Sequence, residues 1–155
     1  MIRMSKLADY GLVLMTHFLR HEIRGQNLSA RQMAHETGLP LPMVSKVLKV
    51  LAREGLLVSH RGVSGGYSLN RSPAKTSVAE VIRALEGPIS MVQCGSDPGA
   101  CDQESICPTR INWARISHEV ERALERVPIA EMVSGETDAS LVAIEGEESA
   151  ESATS

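Results

Sequence analysis

Cys94, Cys101 and Cys107 are the only cysteines in the 155-residue chain, and all three fall within residues 94–107. The residues between them are mostly Gly, Ser, Asp, Pro, Gln and Glu, which is the composition of a loop. Thiolates are soft donors. Three on one loop suit a soft metal centre, foremost an iron–sulfur cluster that takes its remaining ligand from outside the segment. An odd, clustered count is not the pattern of a disulfide framework, which uses even numbers spread along a secreted chain. Two other readings stay open on these residues: redox-active thiols, and a loop that binds nothing.

The charge distribution points to a second chemistry. The net charge is only −3, but residues 1–75 carry eleven Lys/Arg against four Asp/Glu, whereas residues 76–155 carry five against fifteen. A basic half can neutralise phosphates and release their counterions. Aromatic residues make up 3% of the chain, so any core must be aliphatic. The apolar stretch Leu12–Leu19 is too short for a signal peptide and is interrupted by His17. No run approaches the ~20 apolar residues of a membrane span. These features lead us to expect a soluble, cytoplasmic chain, where thiols stay reduced.

The basic half must position its cations. Between Ser5 and Glu22, apolar residues at 7, 10, 11, 14, 15, 18 and 19 give one helix with one buried face. After a turn at Gly25-Gln26-Asn27, Ser29 with Gln32 has capping-box spacing and opens a short helix, Ala30–Thr37, that buries Met33 and Ala34 and stops at Gly38. Pro42 suits the first turn of a third helix running to Glu54. Its apolar face is Val44, Val47, Leu48 and Leu51, and its polar face is Ser45, Lys46, Lys49 and Arg53. A short helix followed by a basic amphipathic one is a helix-turn-helix pattern. Residues 56–59 and 66–69 then read as strands around a Gly-rich tip that carries Arg61. This hairpin is a wing able to rest on a phosphate backbone or enter the minor groove. Pro42, Met43, Ser45, Lys46, Lys49 and Arg61 are the candidate DNA-contacting residues. Lys46 and Lys49 suit either a phosphate or a guanine edge.

In the second half, Ser77 and Glu80 form a capping box for a helix, Val78–Glu86, ended by Gly87-Pro88. The cysteine loop follows. A long helix from about Pro108 to about Val127 carries Trp113, Ile116, Val120, Ala123 and Val127 at alternating steps of three and four, a narrow stripe suited to a seam between two subunits. Pro128 breaks the helix, and residues 129–133 make a last turn. Residues 134–155 hold six acids and no Lys/Arg and read as a disordered acidic tail. The expected organisation is a winged-helix DNA-binding domain over 1–75, a sensor loop with dimerisation helices over 76–133, and the tail over 134–155. The fold class is mainly α with one small β-hairpin. The five histidines, at 17, 21, 35, 60 and 118, form no metal motif in the sequence and are expected to be surface or packing residues. No nucleophile–base pair or phosphate-binding glycine loop is present, so an enzyme is not expected.

The segments Met4–Tyr10, Arg61–Tyr67, Ser77–Ile82 and the cysteine loop resemble the bacterial IscR/NsrR-type iron–sulfur transcription regulators, over about residues 1–133. Leu39-Pro40-Leu41-Pro42, Leu85–Ile89 and Cys107-Pro108 are similar within that group to regulators of the SUF iron–sulfur assembly system. The resemblance implies a cluster on Cys94, Cys101 and Cys107, with 2Fe–2S favoured over 4Fe–4S. The IscR branch places a histidine ligand three residues after its third cysteine. Arg110 stands there in this chain, and a guanidinium is not an ordinary metal ligand. The NsrR branch takes an aspartate from the first helix of the opposite subunit, and Asp9 matches that position. Six residues separate the first two cysteines, where IscR has five. Ser45 stands where IscR has an acidic base reader, so that base preference does not carry over.

Together these readings lead us to expect a homodimer that binds a double-stranded operator, does not associate with membrane, and represses iron–sulfur assembly genes when cluster is abundant. The alternatives are a nitric-oxide or redox-sensing regulator and, in a different class, a metal-binding or thiol-redox module that binds another protein through its basic half.

Overall fold

The computed structural model describes residues 4–22 and 26–133. The turn expected at Gly25-Gln26-Asn27 lies partly outside these residues, and the acidic segment 134–155 wholly so.

Helix α1, Lys6–Glu22, starts where the Ser5 hydroxyl accepts the backbone N–H groups of Leu7 and Ala8 at 3.1 and 3.2 Å. It buries Ala8, Leu12, Leu14, Met15 and Phe18. Helix α2, Ala30–Thr37, opens on the Ser29 hydroxyl, which accepts Gln32 N–H at 3.1 Å. It buries Met33, while Ala34 is only half-buried. Gly38 ends it at φ 70°, a left-handed conformation that costs other residues about 1–2 kcal/mol. Helix α3, Leu41–Arg53, carries Pro42 in its first turn and buries Val44, Val47, Leu48 and Leu51, as its spacing requires.

Strands β1, Leu57–His60, and β2, Gly66–Leu69, form an antiparallel hairpin with Leu57 opposite Leu69 and His60 opposite Gly66. The first strand starts one residue later than its sequence suggests. Leu56 N–H is committed to Leu51 C=O at 2.9 Å, closing the end of α3 before the ladder begins.

Helix α4, Val78–Glu86, has the full reciprocal capping box between Ser77 and Glu80. It packs on α1 at Gly11, where a Cβ would overlap Leu85 Cδ1. Only glycine allows this approach without a shift. The Ser5 hydroxyl also hydrogen-bonds the Glu86 carboxylate, tying the start of α1 to the end of α4.

A four-residue helix, α5, Gln93–Ser96, lies in the segment expected to be irregular. Helix α6 spans Arg110–Glu125, slightly shorter at both ends than the helix expected from about Pro108 to about Val127. At its end the chain turns to run beside the start of α4. Val78 N–H donates to Val127 C=O at 2.9 Å and Ile129 N–H to Thr76 C=O at 2.8 Å. That pairing seats Ile129, first residue of a 3-10 turn ending at Met132, fully inside the core. Burying such a side chain contributes about 1.5–3 kcal/mol. One aliphatic cluster thus joins α1, α2, α3, β1, α4 and Ile129.

Candidate functional site

The face proposed to read DNA is built on α3 and the hairpin. Burial of Val44, Val47, Leu48 and Leu51 turns Pro42, Lys46 and Lys49 to solvent and leaves Met43 and Ser45 half-buried beside them. No side chain caps the N-terminus of α3. Arg61 is exposed at the wing, next to a tip that projects Val63 fully into solvent. The wing has an attachment that the sequence reading missed. Leu28, just before α2, exchanges both backbone hydrogen bonds with Tyr67 of β2, at 2.9 and 2.8 Å. Asn27 Nδ2 donates to Ser64 C=O at 3.1 Å, which pins the tip as well. At Gly66, φ 141°, the backbone lies so close to Leu28 that a Cβ would meet its carbonyl at 2.7 Å. Helix α2 and the wing are therefore joined through Leu28.

The cysteine loop lies between α4 and α6. Cys94 sits on α5, Cys101 follows the turn at Gly99, and Cys107 precedes α6. All three are free and half-buried. Glu104 organises the loop. One of its carboxylate oxygens accepts Gly99 N–H at 2.6 Å, and the other pairs with Arg110 Nη2 at 3.0 Å. Arg110 thus has an acidic partner inside the loop, a pairing that the sequence reading did not identify. Cys94 lines a cleft of about 640 Å³ together with Ile89, Val92, Pro98, Arg110, Ser117 and His118. Cys107 Sγ lies 3.4 Å from Thr109 Oγ1, and that hydrogen bond, with the Thr109 and Arg110 backbone, draws the thiol below its ordinary range.

The three sulfurs are not gathered at one point. Among the described residues, the set of His, Cys, Asp and Glu ligand atoms that does lie within 4.8 Å is His17, His21 and Glu36. Asp9 is exposed in the first turn of α1. The thiols still fit a soft metal group. They are free of disulfides, half-buried and carried on a glycine-containing loop.

Helix α6 packs on α4 through Arg83, which reaches Glu121 and Glu125 at 2.8 and 3.0 Å, and through Leu124, which packs against the core. This leaves Trp113 and Ile116 exposed at 39% and 44%, with Ile116, Val120 and Ala123 along one groove. Val127, the last member of the expected stripe, is packed against its own chain's core instead, because the helix ends at Glu125 and the chain turns inward.

The profile of the Rrf2 family, described as iron-dependent transcriptional regulators, matches residues 4–135. The chain belongs to the Rrf2 family. Protein rrf2 of Nitratidesulfovibrio vulgaris is 26% identical over 140 residues, covering 90% of this chain and 91% of that protein. The structure of an IscR from T. potens superposes with a TM-score of 0.67 at 26% identity, covering 89% of this chain and 90% of that one. That of CymR, the global cysteine regulator of B. subtilis, gives 0.66 at 27% identity, covering 86% of this chain and 98% of that one. The mainly helical winged-helix architecture expected from the sequence is therefore the one this Rrf2 chain has. The family consists of DNA-binding transcription regulators and not enzymes. Among the described residues, no helix is long and apolar enough to cross a membrane.

Proposed function

We propose that this Rrf2-family protein is a homodimeric, cluster-sensing repressor of iron–sulfur assembly genes, of the IscR/NsrR type and allied to the regulators of the SUF system. The observation that carries the reading is the set of three free, half-buried cysteines on one loop between α4 and α6. Cys94, Cys101 and Cys107 are the thiolate ligands, and Asp9 of the opposite subunit is the fourth. A cluster bound there, 2Fe–2S in preference to 4Fe–4S, supplies a group whose occupancy reports cluster supply. The chain works in the cytoplasm, where its thiols stay reduced.

The functional division follows the sequence: residues 1–75 bind DNA, residues 76–133 sense and dimerise, and the acidic tail begins at 134. Pro42, Met43, Ser45, Lys46 and Lys49 meet the major groove of the operator, and Arg61 meets the backbone at the wing. Two copies pair through Trp113, Ile116, Val120 and Ala123, so that two recognition helices address two half-sites. Because α6 holds the loop's C-terminal end and also carries this seam, ordering the loop biases the spacing of the half-sites.

Anaerobic titration of apo and cluster-loaded dimers against a palindromic promoter site at fixed salt tests the reading. A ten- to hundred-fold difference in affinity, about 1.4–2.8 kcal/mol of coupling, is expected, with the loaded form tighter. Equal affinities would remove the sensor role, since a ligand with no differential affinity shifts nothing. Tighter apo binding would reverse the repressor logic.

One observation favours a second reading, a redox or nitric-oxide sensor. The Thr109 hydrogen bond to Cys107 raises the fraction of reactive thiolate. Under that reading, mild oxidant changes the operator affinity of the apo protein, and Cys107→Ser abolishes the change.

A further inference from the structure

We infer that His17, His21 and Glu36 form a second metal site, for a divalent cation of the zinc class, which clamps α1 to the first helix of the helix-turn-helix. The sequence puts His17 and His21 four residues apart on α1, so both rings leave the same helix face. Their centroids lie 4.6 Å apart. Packing of α2 on α1 brings in Glu36 from the last turn of α2. His17 Nε2 and His21 Nε2 then converge on the same carboxylate oxygen, at 2.6 and 3.0 Å.

Two imidazoles and a carboxylate make up the three-protein-ligand set of an open zinc site, with a fourth position for water. Donors around a tetrahedral zinc stand about 3.3 Å apart, given bonds of about 2.0–2.1 Å. The distances from His17 and His21 to the Glu36 oxygen, 2.6 and 3.0 Å, would widen by about 0.7 and about 0.3 Å. Support for the ligands is already in place. Gln32 Nε2 donates to the other Glu36 oxygen at 2.9 Å and fixes the carboxylate's direction. That bond, with the one from His17, also holds Glu36 below the ordinary carboxylate range, in its ligating form. The side chains are 15%, 17% and 27% exposed, enough for an ion to enter from solvent. His21 Nδ1 is buried without a partner. That ring therefore lacks the outer hydrogen bond a ligating histidine usually makes, and the support of the site rests on Gln32. The site stands on α1 and α2, apart from the cysteine loop, and does not depend on the cluster.

The test uses the full chain with Cys94, Cys101 and Cys107 all changed to Ser, which removes the competing thiolates. After chelator stripping, Zn2+ is titrated against a chromophoric competitor, and Co2+ is followed by its visible d–d absorption. One ion per chain is expected, with an upward shift in melting temperature as zinc binds the folded state. His17→Gln and His21→Gln should each weaken binding by at least about tenfold, since losing a ligand costs no less than losing its support. His35→Gln, at an exposed neighbour on α2, should leave binding unchanged. Far-UV circular dichroism checks that each variant is folded. If Glu36→Gln unfolds the chain, the two histidine variants decide the question. Absence of stoichiometric binding, or binding indifferent to both histidine variants, overturns the proposal and leaves an ion-paired clamp without metal.

Discussion

The Ser117 hydroxyl in the middle of α6 accepts a hydrogen bond from the backbone N–H of Met91 at 2.9 Å. Ser117 is buried, and Met91 lies three residues before Cys94. The entrance of the cysteine loop is thus anchored to the helix that carries the proposed dimer seam. Ser117→Ala leaves a half-buried N–H unpaired, at a cost of about 1–3 kcal/mol. Expected are a shorter cluster lifetime in air and a smaller difference between apo and loaded operator affinities, with apo binding unchanged. Absorbance decay and DNA titration would measure both.

Single Ser substitutions at Cys94, Cys101 and Cys107 should each abolish stable iron and sulfide binding, because the thiolates are the soft donors. Full retention of iron and sulfide in all three variants would defeat that ligand set. Asp9→Ala should change the visible spectrum and shorten cluster lifetime. An unchanged spectrum would make Asp9 an ordinary exposed helix residue.

In the proposed DNA interface, Lys46→Ala, Lys49→Ala and Arg61→Ala should each weaken binding. Where the lost contact is to phosphate, binding falls for specific and random sequences alike, and the log–log salt slope flattens by about one unit. A guanine contact would instead cost about 1–3 kcal/mol at one base position only. Fluorescence anisotropy at several salt concentrations separates the two, and unchanged binding in all three variants would remove this surface.

Gly11→Ala places a methyl group against Leu85 and Val81 of α4. Leu85 must move, and overpacking of this kind costs about 1–3 kcal/mol. Urea unfolding should show a lower midpoint at unchanged slope. A companion Leu85→Ala substitution should recover part of the loss from Gly11→Ala, because it removes the atom in conflict.

Glu36 also makes stability depend on pH. Its folded carboxyl is held below the ordinary range, by Gln32 first and His17 second. The unfolded chain therefore takes up a proton first as pH falls. The stabilisation is complete above the unfolded glutamate range and is lost as pH drops through the folded value. In chelator, the wild-type melting temperature should fall more steeply across the acid range than that of Glu36→Gln. Parallel curves would assign the acid sensitivity to other groups.

The helices other than α5 were legible because each has an apolar face with helical spacing, and several carry a start signal, as at Ser29 and Ser77, or a stop signal, as at Gly38 and Gly87. The cysteines could be read as a candidate centre from type and clustering alone. What the sequence concealed are contacts between segments with no periodic pattern. Leu28 is a single apolar residue between a turn and a cap, so nothing local marks its pairing with Tyr67. Glu104 and Arg110 meet because the loop folds back, which no helical spacing rule describes. The four-residue step from His17 to His21 was visible, but its meaning depends on Glu36 arriving from another helix. Val127 kept the spacing of the α6 stripe and lost its place there, because the pairing of 127–129 with 76–78 draws it inward.

The double hydrogen bond between Leu28 and Tyr67 has a consequence for how such a chain can change over generations. The hairpin is stitched through Tyr67, and its tip through Ser64, to the segment leading into α2, while residues 61–63 are exposed. Insertions and deletions at that tip would alter how far the arm extends without re-aiming α3. Under the proposed DNA reading, reach along a duplex and choice of bases are then inheritable traits adjustable one at a time.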